Sequence, residues 1–548
     1  MPMKKFFPFF CLSIITFCPT RLCAYFTSDS EEPYSELHNF ASSSFPTETQ
    51  PQESSFDESD DDLFAMDSGP IQLRDQCPPP DFDILTFLLL LNAPEVLQND
   101  LYKRTNQINQ RPLHSLPSLQ PYFRRPCHAR IDAQAFANVT NRMFFTRCSP
   151  FIKDYLAFAN GDFLEQIDTS FLPNINIPQI IPLFATIKLQ ERRVGVMLTG
   201  AIEQGQWMFI ALLPVYYLEH NFFLTQEEIN AISNDPIFNS FSGSSDYGAA
   251  EQLIACHLIN DSAGIGDLRI TTLYRLNKIL NTKALAGIDW IFPTARAVKQ
   301  GILGNKFPIN APIPPFSIRE LFALSCTPGQ SDAAINMAKN FLLGALDRLT
   351  TIVGDSHLGT RFFSIEPFVE HTKPLTDSLN FITYGRVSYY VPHQQTRFFI
   401  VATTPQEFER DYEDPAQATA NLNFLNQAFI DTLYPYQVNI KVQPGLELRF
   451  NVALNWERHN VSAALGYEYW HKNAEKFLDV SQSVATQFVI PIGLRSSAQQ
   501  SKLFGYIFAH HTHEGSDTWH IGLRGDITIS HQGIGRDYTI AFDAMLDY

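Results

Sequence analysis

The sequence predicts an all-β protein, a transmembrane antiparallel up-and-down barrel of about twelve strands, with fourteen as the alternative count. Three observations predict it. Long segments alternate polar and apolar residues with period two. Short and long connections between those segments alternate along the chain. The composition is rich in aromatic residues (13%) and poor in charge (18%), and no apolar run after residue 24 is long enough for a spanning helix.

The alternation is clearest in "LELRFNVALNWE". Leu446, Leu448, Phe450, Val452, Leu454 and Trp456 fall on one face, and Glu447, Arg449, Asn451, Asn455 and Glu457 on the other. A helix would scatter these residues around its axis, whereas a strand separates them at once. "WHIGLRGDITIS" and "VSAALGYEYW" repeat the pattern, and "LNFITYGRVSYY" and "GDLRITTLYR" carry it with more noise. A tilted strand needs about ten to twelve residues to cross the apolar layer, and these segments have them. The outward positions of the best strands contain no Lys, Arg, Asp or Glu. Trp207, Trp456, Trp519 and Tyr548 fall at short-turn ends, and Tyr217, Tyr467 and Tyr469 near the opposite ends, as two aromatic girdles would. The short connections include 203–206, 279–283, 373–376 and 458–460, and the long ones 140–191, 221–263, 297–355, 392–443 and 474–500. "PLFATIKLQE" (182–191) either belongs to the first long loop or lengthens the second strand.

These features resemble Gram-negative-type outer-membrane β-barrel proteins over residues 128–548. The sharpest match is the ending "RDYTIAFDAMLDY", which alternates to a terminal aromatic residue. The resemblance implies that Phe542, Leu546 and Tyr548 form the signal read by a barrel-assembly machinery, and that the partners are the outer-membrane bilayer and a small solute. "GIGDLR" (264–269) is similar to a stretch in transporters of hydrophobic compounds, a match too short to identify a family.

The parts ahead of the barrel are read differently. Lys4 and Lys5 precede an apolar stretch ending in "LCA" at Ala24, the layout of a secretory signal. Residues 25–83 form an acidic, Ser- and Pro-rich tail. Nearly all of the net charge of −17 lies in 28–83, where Arg74 is the only Lys or Arg. Such a stretch buries too little apolar surface to offset its ordering entropy. The remainder is close to neutral, so no basic footprint for nucleic acid exists. Residues 84–127 are read as a periplasmic or lumen-plugging segment, with Ile84–Leu91 as its apolar core.

The inward faces carry the candidate site. Arg269, Arg386, Glu447, Arg449, Glu457, Glu468, Arg524, Asp526, Asp543 and Asp547 are expected to line the lumen. Charges there need water or partners, which leaves a wet channel or a closed barrel with paired charges. The inner face of 207–218 (Met208, Ile210, Leu212, Pro214, Tyr216, Leu218) is apolar and calls for a cover or a hydrophobic solute path. Two amphipathic loop helices are expected, one capped by Asp414 and ending at Pro435, the other running from Ser331 or Asp332 to Gly354. Cys77 and Cys127 are a possible disulfide. Catalytic motifs are weak. "HHTHE" (510–514) and "GDSH" (354–357) carry no convincing chemistry, and no cofactor or metal is expected. The function predicted is a small-solute channel or transporter gated by loop helices. The alternatives are a closed barrel with a surface adhesion, interaction or structural role, and an outer-membrane barrel enzyme of the lipase or protease type. A filled lumen favours the second, and a Ser–His or Asp–His pair at the rim favours the third.

Overall fold

The computed structural model describes residues 108–120, 129–141, 143, 188–234, 257–279, 282–300, 313–327, 329–399, 401, 420, 423, 426, 427, 430, 434–458, 460–488, 490–512 and 518–548. The secretory signal, the acidic tail, Ile84–Leu91, Cys77 and Cys127 lie outside the described residues, as does Asp414.

Seventeen strands are described. They are β1 (Ala129–Asn141), β2 (Lys188–Gln204), β3 (Trp207–Phe223), β4 (Ile259–Ile265), β5 (Leu268–Ile279), β6 (Thr282–Phe292), β7 (Arg296–Gln300), β8 (Ser364–Pro374) and β9 (Leu379–Tyr390). β10 (His393–Phe399), β11 (Tyr436–Gln443), β12 (Glu447–Arg458), β13 (Val461–Lys472), β14 (Lys476–Leu478), β15 (Ala498–Thr512), β16 (Thr518–Gln532) and β17 (Arg536–Asp547) follow. The helices are α1 (Gln226–Asn234), α2 (Ile318–Cys326), α3 (Ser331–Val353) and α4 (Gln482–Gln487).

Twelve of the strands close into an antiparallel barrel in the order β1-β2-β3-β5-β6-β8-β9-β12-β13-β15-β16-β17. β17 returns to β1 in continuous register from Arg130↔Asp547 to Asn141↔Arg536. Tyr548 extends the seam by donating its N–H to the Ala129 carbonyl at 2.9 Å. The ending "RDYTIAFDAMLDY" is therefore the strand that closes the wall, and closure removes the exposed edges that an open sheet would present. β4 and β7 bring the same sheet to fourteen strands without joining the ring. β3 pairs with β5 up to Leu212↔Arg269, then with β4 from Val215↔Ile265 onward. The change falls at Pro214, which has no N–H to give to a ladder.

The stretch before "RRVGVMLTGAI" lengthens β2, which begins at Lys188. Turns at the short end are tight, with Gly205 at φ 65 between β2 and β3. At the other end the connections carry structure of their own. α3 runs to Gly354, whose N–H bonds to the Thr350 carbonyl. Its N-cap is Gln330, without a side-chain bond, where Ser331 or Asp332 was expected. Its buried face is Ala334, Ala338, Phe341 and Ala345, with Phe341 stacked on Phe316 and tilted against Tyr434. The loops after β9 and β13 also hold something the sequence reading omitted. β10, β11 and β14 form a separate three-stranded sheet, closed over Phe399, Ile440 and Val442.

Candidate functional site

Period two sorts each wall strand into two faces, and burial shows which is which. Leu448, Phe450, Leu454, Leu465, Ile507, Leu523 and Phe542 are exposed outward, between 42% and 67%. Trp207, Trp456, Trp519 and Tyr548 are exposed at the short-turn rim. The inward residues are the charged ones, with Glu468 and Asp543 completely buried. In water this arrangement would leave a continuous apolar belt in solvent and charges in the core. In a bilayer both sets are satisfied. The chain is a closed β-barrel with the outward apolar belt of a membrane-spanning one.

The interior is occupied. Residues 108–120 run inside the barrel as two short 3-10 turns, Leu113–Ser115 and Pro117–Leu119. Leu113, Leu116 and Leu119 pack on Met197, Leu212, Tyr216 and Leu218. The apolar inner face of β3 is thus covered by described residues of the 84–127 segment that lie beyond Ile84–Leu91.

Polar bonds fix this segment to the arc of wall from β13 to β1. Arg111 donates to Gln500 Oε1 at 3.0 Å and forms an ion pair with Glu468. Its guanidinium lies over the ring of Trp470. Ser118 donates through its N–H and its hydroxyl to Asp526 Oδ2, at 3.1 and 2.5 Å. Gln134 donates to the Ser118 carbonyl, and Arg524 to the Gln120 carbonyl.

The sequence-selected charges are found in the same interior, joined into clusters. Arg449 shares Glu468 with Arg111. Arg386 lies 3.0 Å from Glu366 and 3.6 Å from Glu447, and Arg269 is 2.5 Å from Asp289. Arg524 pairs with Asp543 at 2.9 Å. Lys502 bridges Asp526 and Asp537 at 2.8 and 2.6 Å. Arg130 binds Asp547 at 2.5 Å across the β1–β17 seam. Glu457 is only half-buried, near the end of β12. Asp289, Glu366, Lys502 and Asp537 were missing from the sequence-based set. They stand at inward positions of strands already recognised, so the alternation could have supplied them.

At the short-turn end a hydrogen-bonded row crosses four strands, β13, β15, β16 and β17. Ser462 Oγ is 2.9 Å from His510 Nε2, His510 Nδ1 is 2.6 Å from His520 Nδ1, and His520 Nε2 is 3.0 Å from Asp547. His511 is exposed on the other face of β15, and no group of three metal-ligating side chains occurs among the described residues. In "GDSH", Ser356 bonds to Ser262 and Asn260 and has no histidine partner. Asp355 takes Arg361 at 2.7 Å. Burial and the Arg361 charge push His357 below its usual range, which favours the neutral ring.

Between the segment and the long loops lies a cavity of about 60 Å³. Arg111, Arg193, Lys472 and Arg495 line it together with the single acid Asp267 and the apolar side chains of Leu113 and Tyr216. Nearby, Glu475 sits 3.0 Å from Arg397. Burial pushes its carboxyl up, but Arg397, Arg495 and Lys472 outweigh burial and hold it below the usual carboxylate range.

No protein-family model matches the chain, and no curated protein sequence matches it. Among solved structures it is similar to an outer-membrane channel from Pseudomonas putida F1, at 10% identity and TM-score 0.35, covering 78% of this chain and 98% of that one. It is also similar to the toluene transporter TodX of Pseudomonas putida (10%, TM-score 0.27, 78% and 89%) and to the toluene transporter TbuX of Ralstonia pickettii (8%, TM-score 0.29, 83% and 94%). These likenesses are distant, and the architecture above rests on strand register and burial.

Proposed function

We propose that the protein is an outer-membrane channel for small solutes, closed at rest by residues 108–120 and covered outside by loop helices. The observation that carries this reading is that the lumen is filled by a segment separate from the wall. A wall side chain cannot leave the lumen without unfolding a strand. A segment held by an apolar patch and a handful of charge-assisted bonds can be displaced as a unit. The lining charges Arg269, Arg386, Glu447, Arg449, Glu468, Arg524, Asp526 and Asp543 would then become the polar wall of the open pore. Glu457 and Asp547 would stand at its short-turn mouth. In the same reading Phe542, Leu546 and Tyr548 face the assembly machinery before insertion and lipid after it. Uptake of small solutes into liposomes holding the full chain tests the proposal, and absence of uptake under every condition that preserves the folded barrel rejects it.

Two observations favour other readings. The filled lumen and its paired charges support a closed barrel whose role lies on its surface, and a silent protein in the uptake assay would select it. The Ser462–His510 contact supports an enzyme. Ser462, however, lies in a strand paired on both sides, where backbone N–H groups are committed to the ladders, so a developing oxyanion has no free donor pair. Labelling of Ser462 by a fluorophosphonate would restore the enzyme reading.

A further inference from the structure

The cavity on the long-loop side of residues 108–120 has an unbalanced charge. Four Lys or Arg side chains line it, against one Asp. Two of the four are matched: Arg111 by Glu468, and Arg193 by Glu191 at 2.6 Å. The acid is engaged elsewhere, since Asp267 accepts from the Thr360 N–H, the Thr360 hydroxyl and the Ala295 N–H.

Lys472 and Arg495 remain. Lys472 is 6% exposed, and among the described residues its ammonium has neither an ion pair nor a hydrogen bond, only the ring of Tyr390 at 5.7 Å. The two acids closest in electrostatic terms each hold a hydrogen-bonded group through one oxygen, while Glu475 Oε1 and Glu447 Oε1 have no hydrogen-bond partner among the described residues. Glu475 is held by Arg397, and Glu447 by Tyr390 and Arg386. Arg495 is half-buried and likewise has no ion pair among the described residues, although its Nε is buried without a hydrogen-bond partner. An unpaired buried cation is costly. One such cation and the half-buried Arg495 facing the same cavity form the pattern of an anion site, and the guanidinium fork suits a carboxylate. Leu113, Tyr216, Leu218 and Phe362 on the remaining walls suit an apolar body.

We propose that this cavity binds a small organic carboxylate, with its head group between Lys472 and Arg495 and its apolar part against Leu113, Tyr216 and Leu218. As a statement about solute class it builds on the channel reading above, but binding is measurable without conduction.

The test is calorimetric titration of the full chain in detergent micelles with benzoate, and with uncharged benzamide as the control. Benzoate binding that falls at least tenfold in Lys472→Gln and in Arg495→Gln, and survives in Lys472→Arg, is the expected result. Each variant removes an unpaired charge, so the barrel should stay folded, as checked by its heat-modifiable migration. Equal binding of benzamide would overturn the proposal, as would no benzoate binding or binding unchanged in the Gln variants. Benzoate binding without solute uptake would sustain the site and remove the channel. Uptake without benzoate binding would do the reverse.

Discussion

Arg111→Ala removes the strongest tether of the lumen segment. The guanidinium makes four attachments: Nε to Ser115 Oγ at 3.1 Å, Nη2 to the Ser115 carbonyl at 2.7 Å, Nη1 to Gln500 at 3.0 Å, and the pair with Glu468. The first two stay within the segment, and the last two bind it to β15 and β13. Removing one partner of a buried ion pair costs about 3–5 kcal/mol, much of it from the charge left behind. Here Glu468 retains Arg449, so the cost falls at the low end, about 3 kcal/mol. At about 1.4 kcal/mol per factor of ten, the displaced state should gain roughly a hundredfold in population. Single-channel recording in planar bilayers reads this as open probability. The barrel itself should be unaffected, because every wall ladder remains. An Arg111→Ala protein that migrates as a folded barrel and opens no more often than the parent would refute the displaceable-segment argument.

Further predictions follow from the same geometry. Ser118→Ala should also raise open probability, but by about tenfold or less. The hydroxyl bond is lost while Asp526 keeps Lys502 and the Ser118 N–H, a net loss of about 1–1.5 kcal/mol. Phe542→Arg puts a charge on a lipid-facing position of the closing strand and should destabilise the inserted barrel by about 2–4 kcal/mol in urea unfolding from liposomes; a change under about 0.5 kcal/mol would contradict the assigned faces. Glu475 titrates below the free carboxylate range in the folded protein. Its charge therefore contributes stability that is complete above the unfolded value, near 4.3, and is lost as pH falls through the lower folded one. Amide exchange in β10, β11 and β14 should stay slow at pH 5 and quicken below about pH 4, and Glu475→Gln should flatten that dependence. A transition centred between pH 6 and 7 would assign the sensitivity to another group. Lys472→Met should raise the melting temperature, since it exchanges an unpaired buried cation for a side chain of similar volume; a lower one would mean that Lys472 has a partner.

The wall was legible because a bilayer imposes a simple code. Every outward position of a strand such as Glu447–Arg458 must be apolar and every inward one is free to be polar, so "LELRFNVALNWE" reads its own orientation. Tight turns and long loops then set the strand order, and the alternation to Tyr548 located the closing seam. The lumen was less legible. "INQRPLHSLPSL" is short and broken by prolines, and it has no period of its own because its contacts are set by the wall around it. The more hydrophobic Ile84–Leu91 lies outside the described residues. The β10–β11–β14 sheet was missed for a related reason: its strands are short and separated by long stretches of sequence. Which charges pair, and which two are left unpaired, depends on cross-barrel distances that no local pattern records.

The central claim is that residues 108–120 close the barrel, and the most direct measurement is the single-channel conductance of a chain lacking them. The full chain should be closed for most of a recording, and the deletion variant, inserted and folded, should show stable open steps. A folded deletion variant as silent as the full chain would contradict the claim and leave a barrel closed by its own wall.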